Sequence, residues 1–195
     1  MQQSLINSPT KHIIFMPEGR KTEVFVVRKL SSFNDLDDAF LAFDKGDVDR
    51  DMLDDALHTV LSHHIWDAPT LLKAPRPVAN FHAARTIEFD VGNGGFAQAA
   101  YNNPDFFDFA AEGYRAFGLM DAAKLIDKAA TMLPRERRFF SATKIGELFE
   151  QFQESKLSKL DANLDRVGWW AIEQRISYAL THRDAFLEPD YRIQS

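Results

Sequence analysis

Between residues 88 and 102 the chain gathers a carboxylate, side-chain amides and adjacent glycines: Glu88, Asn93, Gly94, Gly95, Phe96, Gln98 and Asn102. Consecutive glycines permit positive φ and a close backbone approach, and an asparagine before them tolerates the left-handed region or caps the helix that follows. The group predicts a tight joint between two helices, with Phe96 anchoring it and Gln98 and Asn102 on one helical face. Glu88, Asn93, Gln98 and Asn102 are then expected to converge. One use of such a convergence is architectural, since an unpaired buried polar group costs about 1–3 kcal/mol and helix ends leave N–H and C=O groups free. A second is a small-ligand or anion site, because glycine N–H groups at a helix N-terminus attract negative charge. Glu88 and Asp90 acting as acid and base is the poorest reading, because no nucleophile, metal cluster or phosphate loop accompanies them. The balance favours architecture, with no catalytic residue, metal ligand or cofactor expected.

A second concentration is acidic. Asp35, Asp37, Asp38, Asp44, Asp47, Asp49, Asp51, Asp54 and Asp55 fall within 21 residues. Residues 34–67 carry ten Asp against Lys45 and Arg50, whereas residues 1–33 carry five Lys/Arg against two Glu. On a helix, Asp51, Asp54 and Asp55 point away from the stripe of Leu53, Leu57 and Leu61, so they are expected to stay in water. A solvated face is the ordinary use of such a run. Imitation of DNA is the functional alternative. Duplex DNA presents one charge per ~1.7 Å of axis and a helix rises ~1.5 Å per residue, so ~30 Å of helix would face roughly 18 phosphates. Nine Asp, not all on one side, reach half that density at best. Asp35, Asp38, Asp47, Asp51, Asp54 and Asp55 form the candidate partner face, because complementary potentials steer association without copying phosphate spacing.

The remaining clusters suggest less. A calcium loop starting at Asp47 would have Met52 where glycine is required and His58 where a bidentate Glu is required. His58, His63, His64 and Asp67 are the one local set of metal-ligating types, but residues five apart share a helical face poorly, so they read as partly buried histidines near a helix end. Trp169 and Trp170 could stack bases, yet a net charge of −6 disfavours direct nucleic-acid binding, which leaves the core or an interface. Arg135, Arg137 and Arg138, followed by Phe139 and Phe140, read as a helix start.

The elements that position these residues are mostly helical. Leu36, Ala39, Phe40 and Phe43 mark one apolar stripe, ended by Gly46, and Asp49 can cap a helix running to about His64. Pro69, Pro75 and Pro77 read as a linker. A helix from Val78 to about Phe89 leads into the glycine break, and a short one runs from about Gly95 to Asn102. Asn103 before Pro104 starts another, lasting to Gly118. Helices over 120–132, 136–153 and 166–186 follow, the last with Trp169, Ile172, Ile176 and Leu180 inward. Residues 12–29, around Pro17 to Arg20, predict a β-hairpin. The expected fold is mainly α, a compact multi-helix array with a small N-terminal β-hairpin. Residues 1–77 hold the hairpin and acidic helical pair, packed on a helical domain over 78–195 as one folding unit.

With 195 residues the chain can bury most of its unfolded surface without staples. It has no cysteine, which excludes disulfides and thiolate chemistry. No signal peptide is seen and no apolar run has membrane-spanning length, so cytoplasm is the expected placement.

The stretch from Glu88 to Asn102 resembles the Glu…Asn-Gly-Gly-Phe-x-Gln…Asn signature of the DNA-mimic-protein C-terminal-domain family, a domain of unknown function. Ala116, Gly118, Ala122 and Ala123 resemble its alanine-rich helix pair, and Leu160, Asp161, Tyr178 and Phe186 follow in the family's order. The resemblance covers about residues 78–188. It implies a non-enzymatic module that presents an acidic face to a basic, DNA-binding protein partner, without contacting nucleic acid or membrane. The acidic run lies ahead of the family-like region, so mimicry is inherited only in part. A ligand-binding or enzymatic site at the glycine joint and self-association as a homodimer are the competing expectations.

Overall fold

Aspartate side chains start each of the first three helices. Asp35 accepts from the Asp38 N–H at the head of α1 (Leu36–Asp44), and Asp49 accepts from the Met52 N–H at the head of α2 (Arg50–Ser62). Asp67 and Thr70 form a reciprocal capping box on α3 (Ala68–Lys73). Each cap satisfies an amide that the helix leaves free. The α3 helix occupies the stretch expected to be a linker. Pro69 lies in its first turn, where the missing N–H costs no hydrogen bond. The computed structural model of the protein describes residues 33, 35–132 and 156–188. The expected β-hairpin over 12–29 and helix over 136–153 lie outside the described residues. Among the described residues there are helices and no strand.

The long α4 (Arg76–Asn102) is bent at Gly94 (φ −163°, ψ 23°) and Gly95 (φ 75°, ψ −177°). Side-chain contacts show how far it bends. Asn102 Nδ2 donates to Asp90 Oδ1 at 2.8 Å and Asn103 Nδ2 to Asp90 Oδ2 at 2.7 Å. A straight helix would hold residues 90 and 102 ~18 Å apart. The arm after Gly95 therefore turns back beside the arm before it, as the paired glycines predict.

A 3-10 turn (Pro104–Phe106) leads into α5 (Phe107–Ala116), and Gly118 (φ 83°) separates that helix from α6 (Met120–Met132). Asn103 does not cap this helix with its side chain; its Nδ2 donates to Asp90 instead. A helix not expected, α7 (Lys156–Val167), ends where the expected helix over 166–186 was to begin, and the rest of that span holds two helices, α8 (Ile172–Thr181) and α9 (Arg183–Leu187). Gly168 (φ 63°) ends α7, so Trp169 is buried from a connection rather than from a helix face.

The core gathers around α4. Phe186 stands edge-on to Phe81 at 5.3 Å and to Phe40 at 6.0 Å, joining α9, α4 and α1 in a favoured aromatic geometry. The α5 helix lies so close that a Cβ on Gly113 would fall 2.6 Å from the Asn80 carbonyl oxygen. Residues of α1 and α2 share one buried apolar cluster with α4, α8 and α9.

Candidate functional site

Arg175 is wholly buried, on the inward face of α8. Its Nε and Nη2 donate to Asp54 Oδ1 (2.6 Å) and Oδ2 (2.7 Å), a bidentate pair with α2. Its Nη1 and Nη2 also donate to Glu88 Oε2 (2.9 Å) and Oε1 (3.2 Å) on α4. Glu88 Oε2 accepts further from the Tyr114 hydroxyl at 2.9 Å and from the Ala171 N–H at 3.1 Å. Arg85 closes the cluster toward the surface. Its Nη2 donates to Asp55 Oδ1 at 2.8 Å, and its Nε lies 2.8 Å from Asp54 Oδ2 as an ion pair without hydrogen-bond alignment.

The chemistry of this cluster is that of a clamp. Burial alone would lower the Arg175 pKa, but hydrogen bonds and charges from Asp54 and Glu88 outweigh it and hold the guanidinium above its ordinary value. Burial, with the Glu88 charge second, pushes the Tyr114 hydroxyl well up, so it remains a donor. Both Glu88 oxygens are taken by donors. A carboxylate so satisfied, and 1% exposed, is not poised to take a proton from a substrate.

The glycine-joint residues divide between separate tasks instead of converging. Glu88 belongs to the Arg175 cluster, while Asn102 bonds Asp90. Asn93 and Gly94 are exposed, and Gln98 is half-buried against Gly94. Phe96 is buried, and its N–H donates to Asp161 Oδ1 at 2.8 Å. Burial raises the Asp161 pKa while that backbone bond lowers it, the first effect prevailing. Asp161, from α7, thus caps the returning arm of α4 in place of Asn93.

The acidic run is likewise divided. Asp54 does not stay in water: it is 1% exposed, because Arg175 draws it inward. Its neighbour Asp55 is half-buried beside Arg85. Asp35 is exposed but spends an oxygen capping α1. Asp38, Asp47 and Asp51 are exposed and have no ion pair among the described residues.

The histidine set falls apart in the same way. His58 stacks on His82 with ring centroids 5.1 Å apart, while His63 is exposed and Asp67 caps α3. His82 Nε2 lies 3.0 Å from the Ile65 carbonyl and donates to it. Burial pushes the His58 pKa down to about 2, helped by His82, Arg85 and Arg175, and burial takes His82 down to about 4. Among the described residues no group of three or more metal-ligating side chains is assembled, and no helix is long and apolar enough to cross a membrane.

Sequence reasoning missed Arg175, Tyr114 and the capping role of Asp161. A signal for Arg175 exists. Ile172, Arg175, Ile176 and Ala179 fall at i, i+3, i+4 and i+7, so the arginine occupies a place in the apolar stripe. A charged residue in such a stripe requires a buried countercharge, and Asp54 lies three residues before Leu57 on α2.

A family model described as "DMP19-like protein" matches residues 73–184. The match takes in the glycine joint, Glu88, Tyr114 and Arg175, and leaves α1 and α2 outside it. No curated protein and no solved structure matches the chain.

Proposed function

We propose that this chain, which belongs to the DMP19-like protein family, named for a DNA mimic protein, is a non-enzymatic binding module that meets a basic, DNA-binding protein through the carboxylates of α1, α2 and the turn between them. The observation that carries the reading is a set of exposed acids without an ion pair among the described residues: Asp38 on α1, Asp47 in the connection that follows and Asp51 on α2. Such a face raises the encounter rate of a cationic partner and suppresses anionic ones. The buried acids and arginines serve to hold that face against α4. A ligand site at the glycine joint is disfavoured, because its carboxylate, Glu88, is sealed and fully engaged.

The test uses a fluorescein-labelled nona-arginine peptide and the full chain. Affinity, read by anisotropy, is expected to fall as salt rises. Replacing Asp38, Asp47 and Asp51 together with Asn is expected to weaken binding roughly tenfold and flatten its salt dependence, because the lost charges are rim charges. Asp54 is excluded from the set, since reversing it would strand Arg175 in the core. Equal affinity for the wild type and the triple variant would count against the acidic face.

A further inference from the structure

Phe89 and Trp170 are exposed by 56% and 58%, and both lie at the glycine joint. Phe89 is one helical turn before Gly92, on the same face of α4. Trp170 lies against Gly92: a Cβ there would fall 3.2 Å from the indole Cη2. The indole is supported from behind by buried Trp169, ring centroid to ring centroid 4.6 Å. A wide aromatic surface held this way loses little rotamer freedom on being covered, the property of residues that dominate interfaces.

The charges around the pair decide what covers it. Arg85 lies 5.8 Å from the centre of the Phe89 ring and reaches Asp55 on α2, so the aromatic surface continues into that helix and toward Asp51. Glu173, three residues after Trp170, is exposed. Two nearby cations are already engaged, Arg85 by Asp54 and Asp55 and Arg50 by Glu173. An aromatic face in such company attracts a further cation and repels phosphate.

We propose that the contact with the basic partner extends from Asp51 and Asp55 of α2 across to Phe89 and Trp170, with an arginine or lysine of the partner stacked on the Trp170 indole. The inference rests on the acidic-face reading and adds a contact that salt does not screen.

The experiment uses the same labelled nona-arginine peptide with Trp170→Ala, Trp170→Leu and Phe89→Ala, each checked for wild-type helix content. Trp170→Ala is expected to weaken binding roughly fivefold at every salt concentration, leaving the salt slope unchanged. Trp170→Leu is expected to lose as much, because it keeps apolar bulk without the π face, and Phe89→Ala provides a second, independent loss. Unchanged affinity in the Trp170 variants, with the Asp38/Asp47/Asp51 variant weakened, overturns this extension and spares the acidic face. Unchanged affinity in all of them overturns both. Binding of oligo-thymidylate that Trp170→Ala abolishes would make the surface a base-stacking one. A dimer in sedimentation that Trp170→Ala dissociates, with peptide affinity intact, would make it a self-association face. Either result overturns the proposal.

Discussion

Arg175 carries the cluster because, among the described residues, it is the one cation that touches both Asp54 and Glu88, each almost wholly buried. A buried ion pair adds little net stability over an apolar substitute, but deleting one partner strands the other. Arg175→Met leaves both acids without their bidentate partner and is expected to cost about 3–5 kcal/mol in urea unfolding. Adding Asp54→Asn and Glu88→Gln to that variant is expected to restore part of the loss, because the stranded charges are gone. Arg175→Lys should fall between, since an ammonium cannot reproduce the planar fork that spans two carboxylates. A triple variant no more stable than Arg175→Met would show that lost packing, not stranded charge, sets the cost.

At the scale of elements, the bend in α4 folds its second arm back beside the first, so that Asn102 and Asn103 meet Asp90. The two glycines contribute unequally. Gly95 has φ 75° and ψ −177°, a region essentially reserved for glycine, and an added Cβ would sit 2.5 Å from Asp161 Oδ2. Gly94 has an extended φ open to any residue, and its added Cβ would meet the end of the Gln98 side chain, which can swing aside, and Gln98 Cβ at 3.0 Å, which must give by a few tenths of an ångström. Gly95→Ala is therefore expected to destabilise by about 1–3 kcal/mol, and Gly94→Ala by clearly less, in thermal melts. Equal losses would mean that the joint relies on the pair and not on the positive φ of the second glycine.

For the whole molecule, the stacked histidines between α2 and α4 make stability depend on pH. Their folded pKa values, about 2 for His58 and about 4 for His82, lie below the ordinary 6.5, so the folded state favours the neutral rings. The unfolded chain binds protons first as pH falls. The stabilisation is therefore fully present above about pH 6.5 and is lost progressively below it, with a limiting slope of about 1.4 kcal/mol per pH unit for each histidine. Urea unfolding between pH 7.5 and 5 is expected to show this decline, and His58→Phe, which keeps a stacking ring, should reduce the slope by about half. A flat profile would mean that the imidazoles are hydrated in the folded protein.

Local rules made much of this legible before any coordinates. The Asp49 cap, the stop at Gly46, the stripes of α1 and α2, the extent of α6 and the bend at Gly94 and Gly95 each depend on residues within a turn or two, and a single sequence contains all of them. The acidic concentration was equally plain, because charge counts need no fold. The tertiary structure decided which carboxylates remain outside. Asp51 and Asp54 look alike in sequence, yet one is exposed and the other is in the core, because Arg175 arrives from 121 residues away. Asn102 and Asn103 were drawn to Asp90 and Glu88 to Arg175 for the same reason. A buried polar group takes whichever partner the packing brings, and packing joins residues whose distance along the chain carries no trace of it.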